Sequence, residues 1–168
     1  MKRFLFFAVL LFAGNLVFGQ GFKQAVGFRG GLTSGVEYRY YTSDQHSFKA
    51  LLGNRSFDGR RGLQLHVLTE YYKYDLFDFS YQLVMYYGFG AHAGYESWDT
   101  IQNGINSSRE VTKTAFVTGV DLLAGLEYLF YEAPVTAGFE LKPYFDILGK
   151  NGIDVQLFDF AFTLKYLF

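Results

Sequence analysis

The feature that most constrains this chain is where its charges fall. In segment after segment apolar and polar residues alternate, and nearly every charge inside a segment lies on one of its two faces. In the last segment Phe158, Phe160, Phe162, Leu164, Tyr166 and Phe168 share one face, while Asp159, Ala161, Thr163 and Lys165 share the other. From 135 to 147, Glu140, Lys142 and Asp146 oppose Val135, Ala137, Phe139, Leu141, Phe145 and Ile147. Asp121 and Glu127 oppose Val120, Leu122, Leu126 and Tyr128, and from Phe79 to Tyr95 every odd position is apolar, with His92 among the even ones. Arg29, Glu37, Arg39, Lys49 and Glu70 keep the same rule, and Lys73 and Asp75 depart from it only at a strand end. A period of two is the period of a β-strand, whose successive side chains point to opposite sides.

A set of strands with one face closed to charge has two solutions. The apolar face packs inward in a lipocalin-like barrel in water, or it faces outward into lipid. Volume selects the second. The chain holds 20 Phe and 14 Tyr, and an apolar face of about forty side chains overfills the interior of an eight-stranded barrel. The polar face instead carries small residues, among them Gly27, Gly35, Gly88, Gly94, Gly119 and Gly138, which suit a crowded lumen. A charge on the lipid side costs about 2–4 kcal/mol at the bilayer midplane for Arg or Lys, so a membrane enforces its absence there.

Residues 1–19 read as a signal peptide: Lys2 and Arg3 form a positive start, Phe4 to Phe12 an apolar run, and Val17-Phe18-Gly19 a cleavage site before Gln20. No later apolar stretch is long enough for a transmembrane helix, so a mature chain in a membrane crosses it as a barrel. Residues 20–168 are expected to form one outer-membrane β-barrel domain. The absence of cysteine excludes a disulfide framework, a thiolate metal site and a lipid anchor, and a net charge of -1 argues against a nucleic-acid partner.

Seven periodic blocks are visible, but a bacterial single-chain barrel with both termini in the periplasm needs an even number of strands. The block from Ala25 to Tyr41 is too long for one strand and holds Gly-Leu-Thr-Ser-Gly at 31 to 35, so it is read as a hairpin. The expected fold is a closed antiparallel up-and-down transmembrane β-barrel of eight strands, near 23–31, 35–42, 46–54, 62–74, 79–96, 113–130, 135–147 and 153–168. Short turns at 42–45, 76–78 and 131–134 fall at the periplasmic end. Longer connections fall outside, at 97–112 and around Phe57-Asp58-Gly59 and Lys150-Asn151-Gly152. A three-residue loop from Leu32 to Ser34 sets Arg29 directly across from Glu37 as an ion pair.

The terminal row Phe160, Phe162, Leu164, Tyr166 and Phe168 resembles the C-terminal strand of Gram-negative outer-membrane proteins, which the barrel-assembly machinery reads. The runs Gly27-Phe28-Arg29-Gly30-Gly31, Ser34-Gly35-Val36-Glu37-Tyr38-Arg39-Tyr40, Leu68-Thr69-Glu70-Tyr71 and Tyr86-Tyr87-Gly88-Phe89-Gly90-Ala91-His92 resemble the small OmpX/OmpW-like outer-membrane β-barrel family. The resemblance implies an eight-stranded, porin-like barrel integral to the outer membrane, with lipid as its surroundings, and lends no activity.

The chemistry to be weighed lies in the lumen. Arg29, Glu37, Glu70, His92, Asp121, Glu127, Glu140, Lys142 and Asp159 are expected to form a polar network that fills the barrel, with Glu140 across from Gly125 and Lys142 diagonal to Asp121 and in reach of Asp159. Such a network satisfies itself, because unpaired buried charge is costly. The alternative is a path for ions or small solutes. A lipid-modifying barrel enzyme is disfavoured, because the expected hairpin places Ser80 opposite Tyr74 and His66 opposite Gly88, too far apart for a Ser-His-acid triad with Glu70. No two histidines then stand at ligand spacing, and Asp58 and Asp99 are isolated, so no metal, cofactor or catalytic residue is expected. The loop 97–112, with Trp98, Ile101 and Ile105, is open to a surface ligand.

Overall fold

The computed structural model describes residues 22–57, 59–103, 108–149 and 152–168; the expected signal peptide lies outside them. Ten strands follow one another: β1 (Gln24–Gly31), β2 (Thr33–Ser43), β3 (His46–Phe57), β4 (Arg60–Lys73), β5 (Leu83–Asn103), β6 (Ser108–Phe130), β7 (Val135–Leu141), β8 (Tyr144–Leu148), β9 (Asp154–Gln156) and β10 (Phe160–Leu167). From β1 to β6 each strand pairs antiparallel with the next.

β7 and β8 both pair with β6 and are separated at Pro143, which has no N–H for a ladder. The Pro143 carbonyl still accepts from the Leu122 amide at 2.8 Å, so the two are halves of one wall strand. β9 pairs with β8 and β10 with β7, making the halves of the next. β10 then closes on β1, from Ala25 opposite Leu167 to Gly31 opposite Ala161. At its end Gln24 and Phe168 exchange backbone hydrogen bonds of 3.0 and 2.9 Å. The result is a closed antiparallel barrel of eight wall strands, as the alternation predicts.

The two faces separate as expected. Phe162 is 73% exposed, whereas its neighbours Ala161 and Thr163 are 2% and 4% exposed. Outward-facing aliphatic side chains, including Val36, Leu52, Leu65, Val67, Val120 and Leu122, occupy the middle of the wall. Tyrosines crowd the outer surface towards the termini, where Tyr71 and Tyr87 stack at 5.8 Å. Towards the opposite end Tyr95 and Phe116 meet edge to face at 5.5 Å.

Three expectations fail, the first two because alternation defines faces but not pairing. First, Ser34 Oγ accepts from the Gly31 amide at 3.0 Å and donates to its carbonyl at 2.7 Å, tightening the first hairpin around Leu32. Arg29 therefore stands opposite Gly35 and Glu37 opposite Gly27, so the expected Arg29–Glu37 ion pair is replaced by other partners. Second, the turn after β4 runs through to Gln82, and β5 starts at Leu83. Asp75 takes a φ of 57°, and the Ser80 amide reaches back to the Phe77 carbonyl at 3.1 Å. Phe79 and Tyr81 continue the alternation without joining the ladder. The pairing slides by four residues, and His66 stands opposite His92 rather than Gly88. Third, residues 97–103 and 108–112 of the expected loop are strand: β5 and β6 stay paired out to Asn103 opposite Ser108.

One glycine tests how tightly the wall fills its own interior. A Cβ on Gly119 would run into the Phe145 carbonyl oxygen and lie 2.7 Å from His92 Cε1, while one on Gly30 meets nothing within 4 Å. Gly119→Ala is expected to destabilise the barrel by about 1–3 kcal/mol, the usual cost of overpacking. Gly30→Ala should leave it within about 0.5 kcal/mol. Urea unfolding of the detergent-solubilised protein, followed by tyrosine fluorescence, measures both.

Candidate functional site

The inward positions of the eight wall strands bring the charges together on the axis. Glu140, on β7, is the hub. One of its oxygens lies 2.8 Å from Arg39 Nη2, 2.7 Å from Lys49 Nζ and 2.6 Å from the donating Tyr86 hydroxyl. Its other oxygen accepts from Arg29 Nε at 3.1 Å. Arg39 also contacts Glu127 at 2.9 Å and Glu70 at 3.1 Å. Glu37, freed from Arg29, lies 2.7 Å from Lys49 and 3.6 Å from Lys165, and Lys165 reaches Glu127 at 2.8 Å. Arg29 extends to Asp159 at 3.3 Å and donates to the Thr33 carbonyl. All of these side chains are buried.

Further from the termini a second group forms. Lys142 Nζ lies 3.4 Å from both Asp121 and Asp159, its backbone amide donates to the Asp159 carbonyl at 2.9 Å, and its ammonium sits 4.7 Å above the Tyr144 ring. The Asp121 carboxylate takes His66 Nδ1 on one oxygen at 3.0 Å and His92 Nδ1 on the other at 3.1 Å. Asp146 bridges His92 Nε2 at 2.9 Å and Arg55 at 3.0 Å. Beyond them Arg60 holds Asp154 at 2.9 Å and Glu96 at 3.8 Å.

The structure thus brings every residue of the expected network into one lumen, with Glu140 opposite Gly125 and Lys142 meeting both Asp121 and Asp159. The named network leaves out Arg39, Lys49, Asp146 and Lys165, although all four keep the one-face rule in sequence. Arg55 lies beyond the expected end of its strand, and parity with Lys49 and Leu51 was the signal for it. The convergence of His66 and His92, with ring centres 5.1 Å apart, corrects the expectation that no two histidines stand at ligand spacing. It depends on the four-residue slide of β5, which no pattern of faces encodes.

Towards the termini the lumen opens into a cavity of about 440 Å³. Its lining includes Tyr41, Tyr72, Tyr74, Val84, Leu129 and Glu127. It ends against the ion network, where Tyr72 stacks on the fully buried Tyr86 at 5.5 Å and Arg39 covers the Tyr86 ring at 4.8 Å.

The fold and lumen define a class: a small closed β-barrel, apolar outside and ionic inside. Among solved structures the chain is similar to the crystal structure of the N-terminal β-barrel domain of Pseudomonas aeruginosa OprF. The TM-score is 0.58 at 15% identity, over 89% of this chain and 100% of that one. The likeness is one of fold. No family model matches the chain and no curated protein matches it, so the OmpX/OmpW-like family remains a resemblance of short runs.

The hub generates a prediction. Glu140→Gln leaves Arg29, Arg39 and Lys49 without their shared anion and should cost about 3–5 kcal/mol, the range for breaking a buried ion pair from one side. Lys49→Met on that background should restore part of the loss, since it removes one of the stranded cations. The comparison is read from unfolding midpoints of the four proteins of the double-mutant cycle.

Proposed function

We propose that the protein is an integral outer-membrane barrel with both termini in the periplasm, acting as a structural element and through its exposed surface rather than through its lumen. The observation that carries this reading is the lumen itself: fully buried side chains of both signs, each held by partners of the other. A conducting path would have to separate buried ion pairs, and an eight-stranded interior is only just wide enough for its own side chains. The outward apolar surface with tyrosines towards one end suits a bilayer with its interface, and so does the OprF domain's fold. In this reading Phe160, Phe162, Leu164, Tyr166 and Phe168, on the outward row of the last strand and its end, serve as the signal for the barrel-assembly machinery.

The feature that reaches furthest from the wall is the β5–β6 hairpin. β4 accompanies β5 only as far as Trp98, and β8 accompanies β6 only as far as Thr118. Past these points, among the described residues, the two strands pair only with each other. Their free edges offer backbone donors and acceptors to a partner, which makes the hairpin the contact surface in this reading.

In planar bilayers the purified protein should give no reproducible single-channel steps, and robust steps would overturn the closed lumen. Cell fractionation should place the chain in the outer membrane with heat-modifiable migration on gels; recovery from the soluble periplasm would overturn the membrane assignment. Deleting Trp98 to Arg109 should leave migration unchanged while abolishing binding of whole cells to whatever surface the barrel engages.

A further inference from the structure

We propose that His66, His92 and Asp121 form a binding site inside the barrel for a single divalent transition metal of the zinc, copper or nickel class. The three donors come from three adjacent wall strands, β4, β5 and β6, at positions the register sets side by side: His66 opposite His92, and His92 opposite Gly119, two residues before Asp121. One ligand atom from each lies within 4.8 Å of the others, and all three residues are buried. A tetrahedral ion with bonds of about 2.0–2.1 Å holds its ligands about 3.4 Å apart, so side-chain rotations of about an ångström close the site and leave a fourth position for water. Two imidazoles and one carboxylate suit late first-row metals rather than calcium or magnesium.

Two further observations separate this cluster from a chance meeting of polar groups. The first is the shell behind His92. Its Nε2 meets Asp146 at 2.9 Å, and Asp146 is braced by Arg55 at 3.0 Å. A carboxylate that takes the far N–H of an imidazole fixes the ring and raises the basicity of the other nitrogen, here Nδ1, which is the one aimed at Asp121. Gly119 leaves the space in which this ring sits.

The second is charge. In the half of the lumen nearer the termini, Arg29, Arg39, Lys49 and Lys165 answer Glu37, Glu70, Glu127 and Glu140, four against four. In the other half Arg60 is shared by Asp154 and Glu96, Arg55 answers Asp146, Lys142 and Arg29 answer Asp159, and Asp121 has only a share of Lys142. Beyond that share, the contacts of Asp121 are the two histidines. A bound cation adds positive charge to Asp121 where the imidazoles are. Lys142 opposes it, with its ammonium 3.4 Å from both His66 Nδ1 and Asp121. Its flexible stem allows it to lean on Asp159, which already lies 3.4 Å away.

The opposition of Lys142 gives the test two directions. The full chain is refolded in detergent with Zn2+ or Co2+, freed of unbound metal by gel filtration, and assayed for metal per protein and, with Co2+, for the intense visible bands of a tetrahedral ion. The wild type should retain one metal per chain. His66→Gln and His92→Gln should each weaken binding at least tenfold, whereas Lys142→Gln should strengthen it and His46→Gln, on the outer surface, should leave it unchanged. Less than a tenth of an equivalent in both the wild type and Lys142→Gln would overturn the site. Full retention by the double variant His66→Gln/His92→Gln, or a loss with His46→Gln, would also overturn it. If the histidine variants fail to fold, as gel migration reports, the wild type and Lys142→Gln still decide the question.

Discussion

The interaction on which this barrel depends is the meeting of Glu140 with Arg29, Arg39 and Lys49. An ion inside a protein loses several kcal/mol of hydration and recovers it only from good partners. A carboxylate has room for about four donors, and Glu140 uses its two oxygens on three cations and the Tyr86 hydroxyl. Arg39 repays the arrangement from the other side. Its flat guanidinium contacts Glu70, Glu127 and Glu140, a spread that a lysine ammonium on a single point does not match. The lumen is therefore a mesh in which each charge is held from several strands.

That mesh explains which parts of the structure were legible in the sequence. The face on which a charge stands is set by parity, and parity survives every shift of two or four residues in pairing. Arg29, Glu37, His66 and His92 were thus placed inside correctly, while their partners were not. The partners depend on turn geometry: a serine hydroxyl closing on Gly31, and an aspartate at positive φ after β4. Where a turn was short and well marked, as at 131–134, the cross-strand neighbour followed, and Glu140 faces Gly125 as read. Where alternation ran on through a turn, as at Phe79 and Tyr81, it disguised the turn as strand and hid the histidine pair.

The same logic explains the paired strands at 97–103 and 108–112. Polar composition there reads as loop, yet Thr100, Thr112 and Val111 favour extended backbone, and Thr112 ties its hydroxyl to Asp99 across the ladder at 2.7 Å. Once β5 and β6 are aligned by the wall, the ladder continues with little further entropy to lose. The proline at 143 acts in the opposite sense. It interrupts β7–β8 without opening the wall, because β6 bonds to both halves and to the proline carbonyl between them.

Closing the ring and neutralising its interior are one event. The last strand carries Asp159 and Lys165 inward, and their partners lie on strands formed earlier in the chain: Arg29 on β1, Glu37 on β2, Glu127 on β6 and Lys142 just beyond the end of β7. Until β10 meets β1, those charges have no complete set of partners and the edges of both strands are open. When it does, the seam gains its backbone ladder from Ala25 to Gly31, and the lumen gains the ion pairs that make its buried charges tolerable. Phe160, Phe162, Leu164, Tyr166 and Phe168 turn outward on that same strand. One face of β10 therefore finishes the outer apolar surface while the other completes the network within.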